Sequence, residues 1–186
     1  MRGIRYVGVA LVATVALGSA TAAGASAHTF TASKTGEIKA KQLTSQIFAT
    51  AAGNIECETL TGTGAVSALT EEVQKATVKY GGCFAFGIAT TISPIEFEFN
   101  ANGTASILKQ VTVKASAFCT ITIPAQSKLS TVTYVNLTGG KIELEPEIDG
   151  ITSTGTGDAC AYGTESKGQY EGRTEVELVG GTLTWA

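Results

Sequence analysis

The sequence predicts an all-β protein: an antiparallel β-sandwich of Ig-like or jelly-roll-like kind with about ten short strands, or, as the alternative, a closed β-barrel. Three observations carry that prediction. Apolar and polar residues alternate with period two in successive runs, turn-forming residues separate the runs at short intervals, and 26 threonines follow residue 27. Alternation marks a strand whose two faces meet different surroundings. Threonine points the same way, because a β-branched side chain loses less freedom on a pleated surface than in a helix.

In chain order, the first element is a leader. Arg2 and Arg5 precede an apolar stretch at residues 6–17, and small residues fill 18–27. That order reads as a signal peptide. Ala25-Ser26-Ala27 supplies the small side chains that cleavage after Ala27 needs, and Ala20-Thr21-Ala22 offers a second site. The apolar part is too short for a membrane span, which takes roughly 20 residues. Residues 1–27 are thus expected to be removed, leaving 28–186 as a single all-β domain, exported and free of the membrane.

Residues 40–51 and 69–76 also fit a helical face, through Leu43, Ile47 and Phe48 in the first and Leu69, Val73 and Ala76 in the second. The first is read as β because Thr44, Thr50 and a Gly-Asn turn disfavour a helix. The second also suits one or two helical turns. Clean alternation follows in Ile95-Glu96-Phe97-Glu98-Phe99, Val111-Thr112-Val113, Thr120-Ile121-Thr122-Ile123, Lys141-Ile142-Glu143-Leu144-Glu145 and Glu175-Val176-Glu177-Leu178. Turns are expected at Gly53-Asn54, Gly81-Gly82, Asn102-Gly103, Gly139-Gly140, Asp149-Gly150 and Gly180-Gly181. Pro146 cannot donate to a ladder, so its strand is expected at an edge or bulged, with Glu143, Glu145, Glu147 and Asp149 facing water.

All four cysteines, Cys57, Cys83, Cys119 and Cys160, follow the leader. An even count in an exported chain reads as two disulfides. Three pairings are open. The sequential one, Cys57 with Cys83 and Cys119 with Cys160, is favoured because antiparallel topologies bring sequence neighbours together. Zinc would want closer cysteine pairs than these. Loss of the leader removes two of the 13 Lys and Arg and none of the 16 Asp and Glu, so the remaining domain carries a formal charge of −5. Such an acidic domain is a poor partner for nucleic acid or anionic membranes.

The stretches Phe48-x-Thr50-x-x-Gly53-x-Ile55-x-Cys57, Tyr80-x-x-Cys83, Cys119-Thr120-Ile121-Thr122-Ile123-Pro124-Ala125-Gln126, Val132-Thr133-Tyr134-x-Asn136 and Gly168-x-Tyr170-x-Gly172 run through most of residues 48–185. In these the chain resembles an uncharacterised family of secreted, disulfide-containing β-domains from high-GC Gram-positive soil bacteria. The resemblance implies export and disulfides and carries no assigned activity.

No catalytic, cofactor-binding or metal-binding set emerges from the residues. His28 would become the new N-terminus, as in secreted copper enzymes, yet copper there needs a second histidine and this chain has one. A Ser-His-acid triad would require the same His28 on a frayed terminus. The pairs Glu96/Glu98, Glu143/Glu145 and Glu175/Glu177 sit about 7 Å apart along a strand. That suits glycoside hydrolysis, and it equally describes a solvated face. The acids from Glu143 to Asp149 diverge along a strand rather than converging as calcium ligands do. Tyr162, Tyr170 and Trp185 form a late aromatic group that could stack on sugar rings or close the core.

Three functional readings follow. The first is a secreted non-catalytic binding or cell-surface module, with a cell-surface glycan or protein as partner. The second is a carrier of a small ligand or lipid in an apolar cavity. The third is a carbohydrate-active protein using strand carboxylates.

Overall fold

Alternation becomes pairing along almost the whole chain. The computed structural model describes residues 28–51, 53–85, 87–159 and 163–186. The leader, Cys160 and Tyr162 lie outside the described residues. Seventeen strands and no helix occur among those described. They are β1 (Phe30–Ala32), β2 (Gly36–Gln42), β3 (Gln46–Thr50), β4 (Gly53–Val66), β5 (Thr70–Glu71) and β6 (Val73–Ala85). Next come β7 (Ile88–Ile92), β8 (Ile95–Asn100), β9 (Thr104–Ile107), β10 (Val111–Ser116), β11 (Cys119–Ile123) and β12 (Gln126–Ser130). The last are β13 (Val132–Leu137), β14 (Lys141–Thr156), β15 (Gly163–Glu171), β16 (Thr174–Leu178) and β17 (Leu183–Trp185). Both ambiguous stretches are β: residues 40–51 span the end of β2 and all of β3, and residues 69–76 hold β5 and the start of β6.

The three long strands β4, β6 and β14, of 14, 13 and 16 residues, organise two lobes. In one lobe the pairings close a circuit: β3–β4, β4–β6, β6–β7, β7–β10, β10–β11, β11–β14, β14–β15 and β15–β3. Every pair in that ring is antiparallel, which is barrel connectivity with no free edge. The other lobe runs β12-β9-β8-β6-β4-β2-β16-β14-β13. Its two ends meet where Val132 N–H donates to Gly103 O at 2.8 Å and Tyr134 Oη–H donates to Asn100 O at 2.8 Å. A small sheet, β17-β1-β5, caps it.

Each long strand changes its inward face at the waist between the lobes. In β4 the buried residues are Ile55 and Cys57 in the circuit but Leu60, Gly62 and Val66 in the capped lobe. In β6 they are Gln74 and Val78 above the waist and Cys83 and Ala85 below it. In β14 the buried residues of the core face are Ile142, Leu144, Pro146 and Ile148 before the waist and Ile151, Ser153 and Gly155 after it, with Glu143 buried on the other face. One residue of slip moves a whole side-chain set to the other face. Gly82 at φ 59° and Gly150 at φ 77° absorb that slip in the left-handed region. Gly81-Gly82 and Asp149-Gly150 are therefore bends inside continuous strands, not turns between strands.

Partner changes coincide with the waist, and the sequence supplies a group for the orphaned positions. On β4, partner β3 ends at Cys57 and β2 begins at Thr61; the Gln42 amide bridges the gap, donating to Glu58 O at 2.9 Å. On β14, β16 ends opposite Leu144 and β15 begins opposite Glu147, so Pro146 sits in the interval. Glu147 exchanges both backbone bonds with Thr131, which turns the proline nitrogen to the unpaired side. The expected edge position is thus corrected: β14 is central, and Pro146 is tolerated because its missing donor falls where no strand pairs.

Candidate binding surface at the hairpin end

The topology of the closed circuit places four turns together. In a ring of antiparallel neighbours, the hairpins β3–β4, β6–β7, β10–β11 and β14–β15 must all turn at the same end, because each first strand runs towards it. The opposite end continues through β4, β6 and β14 into the capped lobe. The four-turn end is therefore the free end of the molecule.

Apolar side chains are displayed there. Phe118, at the apex of β10–β11, is 68% exposed, and Ile88, the first residue of β7 in the adjoining hairpin, is 51% exposed. Phe84, two strand positions before that turn on β6, is 42% exposed. Large apolar residues in water raise the free energy of the folded state unless another surface covers them.

The Phe118 backbone is held from several directions. Its N–H donates to Ser116 Oγ at 3.1 Å, and its carbonyl accepts from Ala159 N–H at 3.1 Å. Gly157, at φ 100°, passes so close that a Cβ would stand 2.2 Å from the Phe118 carbonyl oxygen, so only glycine fits. The next residue, Cys119, is disulfide-bonded. Its expected partner, Cys160, lies outside the described residues. On the neighbouring strands, Cys57 and Cys83 face each other across β4–β6 and form a disulfide, as the sequential pairing requires. Phe118 is thus an exposed ring on a fixed backbone, which lowers the ordering cost of any contact it makes.

Of the aromatic residues singled out from the sequence, the two described, Tyr170 and Trp185, lie in different surroundings. Tyr170 is 4% exposed and lies in the core, its ring stacked on Phe48 at 4.6 Å between centroids. Its hydroxyl donates to Gln46 Oε1 at 2.5 Å and accepts from Tyr80 at 3.0 Å. Burial pushes both tyrosine hydroxyls above their ordinary pKa, so they stay protonated donors. Trp185 is half-buried; it packs near Tyr134 and donates through Nε1 to Ala101 O at 2.9 Å. Its other neighbour is His28, stacked at 4.6 Å with the rings 13° apart. Thr29 and Ala186 exchange backbone bonds at 2.7 and 3.0 Å, so the segment expected to fray is paired with the C-terminus. Tyr162 lies outside the described residues.

Each carboxylate pair is engaged by at least one cation. Lys109 binds Glu96 at 2.7 Å and Lys75 binds Glu98 at 3.5 Å. Lys141 reaches Glu175 and Glu177, both at 2.8 Å, and Lys41 also reaches Glu175. Glu143 is 4% exposed, correcting its expected place in water; Arg173 bonds it and also Glu145, at 3.1 Å. Bonds from Lys141 hold Glu175 and Glu177 below the usual carboxylate range. Glycoside hydrolysis requires one acid raised towards neutrality, the opposite displacement. Among the described residues no group of three or more His, Cys, Asp or Glu side chains converges as metal ligands.

Phe84, Ile88 and Phe118 were not singled out from the sequence. A signal was present in Phe84 and Ile88 on either side of Gly87, where large apolar residues stand beside a turn in place of Asn, Asp or Ser. Comparison with known proteins returns no matching family model, no similar curated protein and no similar solved structure.

Proposed function

We propose that the protein is an exported, non-catalytic binding domain that grips a protein partner at the cell surface through its four-turn end. The observation that carries this reading is Phe118: an exposed ring whose backbone is fixed by Ser116, Gly157, Ala159 and an adjacent disulfide. A protein partner suits the apolar character of Phe118, Ile88 and Phe84 better than a sugar, whose hydroxyls call for paired polar side chains beside the ring. Export is supported by the leader pattern, by the resemblance to secreted β-domains and by the Cys57–Cys83 disulfide. No helix among the described residues is long and apolar enough to cross a membrane.

The lipid-carrier reading finds little room. The cavity in the capped lobe measures about 50 Å³, whereas pockets for drug-sized ligands occupy about 300–1,000 Å³.

Retention of the fluorescently labelled domain on washed producer cells tests the proposal. Phe118→Ser is expected to cut retention at least about tenfold, as truncation of an interface anchor does. Protease treatment of the cells is expected to abolish retention of the native domain. Equal retention of the variant, or binding that survives protease and is lost to glycosidases, overturns the reading.

A further inference from the structure

The two ends of the capped lobe meet at the turn between β8 and β9, and that turn is tied to other elements on several sides. Gly103 O accepts from Val132 N–H of β13 at 2.8 Å, Asn100 O accepts from the Tyr134 hydroxyl at 2.8 Å, and Ala101 O accepts from Trp185 Nε1 of β17 at 2.9 Å. Ala101 N–H donates to Glu72 O at 2.8 Å. A Cβ at Gly103 would stand 3.1 Å from Val132 O, so the two backbones pass closely. The seam therefore rests on the length of main chain between Asn100 and Gly103.

Asn102 lies in this turn and is exposed. Of the four asparagines, Asn54, Asn100, Asn102 and Asn136, it alone precedes a glycine. A glycine has no Cβ to block the approach of its own nitrogen to the preceding side chain, and the two groups are held a few bonds apart. The Asn102 amide oxygen also accepts from two donors, Thr104 N–H at 3.1 Å and the Thr104 hydroxyl at 2.8 Å. Asn100 Nδ2 donates to that same hydroxyl at 3.1 Å, which leaves the hydroxyl proton for Asn102 Oδ1. Donors on a carbonyl oxygen stabilise the negative charge that develops there when a nucleophile attacks the carbon.

We infer that Asn102 is a self-modification site, at which the Gly103 nitrogen displaces the side-chain amide and the product opens the seam of the capped lobe. Gly103 N passes its proton to water or hydroxide and bonds to Asn102 Cγ, giving up its bond to Asn100 O at 3.0 Å. The Cγ–Nδ2 bond then breaks, and the nitrogen takes up a proton and leaves as ammonia. Water opens the resulting cyclic imide at one carbonyl or the other, giving aspartate or isoaspartate at position 102. The isoaspartate places one extra methylene in the main chain, so Gly103 O and Asn100 O no longer both keep their partners. Loss of ammonia makes the change irreversible, and the closed lobe ages into an opened one without an enzyme.

The folded protein is incubated above neutral pH, and the peptide carrying residue 102 is followed by mass spectrometry with isoaspartate and aspartate separated by chromatography. Conversion is expected at Asn102 ahead of Asn54, Asn100 and Asn136, and faster as pH rises. Thr104→Val keeps the shape of the side chain and removes its hydroxyl donor; it is expected to slow conversion at least about threefold. In the isoaspartate form, hydrogen exchange at Val132 N–H is expected to speed up and the fluorescence of Trp185, the one tryptophan, to shift. Asn102→Asp adds the charge without lengthening the chain and is expected to leave both close to native. These readouts on the native chain keep the test open if Thr104→Val does not fold. No conversion at Asn102, conversion of Thr104→Val at the native rate or faster, or an isoaspartate form with native exchange at Val132 overturns the inference.

Discussion

Tyr170 supplies the hydrogen-bond partner of two polar groups, Gln46 Oε1 and the Tyr80 hydroxyl. Its hydroxyl donates to Gln46 Oε1 and accepts from the Tyr80 hydroxyl, while Gln46 Nε2 donates to Thr44 O at 2.9 Å and Arg173 O at 3.2 Å. Gln46 is fully buried, so every one of these bonds replaces lost water. Tyr170→Phe keeps the ring stacked on Phe48 and removes only the hydroxyl, which donates to Gln46 and accepts from Tyr80. It is expected to cost about 1–3 kcal/mol in urea unfolding. A loss below 0.5 kcal/mol would mean that Gln46 finds another donor. Phe118 marks the opposite case, since its exposed ring holds little of the fold: Phe118→Ser should move stability by no more than about 0.5 kcal/mol while retention on cells falls.

Strands carry the two lobes as one body because β4, β6 and β14 run through the waist as continuous strands. The bend in β14 depends on Gly150, at φ 77° with open space around its Cβ position. Gly150→Ala therefore isolates the backbone cost, expected at about 1–2 kcal/mol in thermal unfolding, with Gly150→Asn less costly because asparagine tolerates that region. Equal stability of the alanine variant would show that the strand can shift its register. The Cys57–Cys83 bridge, with a sequence separation of 26, ties β4 to β6 beside the waist. Replacing both cysteines by alanine is expected to cost about 3–4 kcal/mol, measured by denaturant unfolding of the oxidised parent and the variant.

Across the whole molecule, charge is arranged to favour the folded state near neutrality. Glu175 and Glu177 are held low by Lys141, and Glu71 is held low by bonds from Ser67, Ala68 and Gln74 that outweigh its partial burial. A carboxylate depressed in the folded state contributes stability above its ordinary value of 4.5 and loses it as pH falls through the folded value. The melting temperature is expected to stay level from pH 7 to about 5 and to fall steeply below about 4.5. Glu175→Gln should make that fall shallower. A melting temperature that rises on acidification would contradict the assigned pairings. These cations also tie up the strand acids, suggestive in the sequence, in ion pairs on the capped lobe.

The sequence by itself determined the β class and the antiparallel pairing of near neighbours, and it favoured the Cys57–Cys83 partnership without closing the other two pairings, because local alternation, turn chemistry and short loop closure act between near neighbours. It could not determine that ten apparent strands are seventeen, or that three of them run unbroken through the waist. Alternation read along the chain restarts out of phase at Glu58-Thr59, Gly81-Gly82 and Asp149-Gly150, so one long strand looks like two. Only the tertiary structure decided which side of each strand is inside, since that depends on partners far away in sequence. For the same reason it alone placed Tyr170 in the core, Glu143 under Arg173, Gln74 against a cavity and Phe118 in water. An aromatic ring on a strand has the same local pattern in each setting, and only the closure of the ring of strands separates interior from tip.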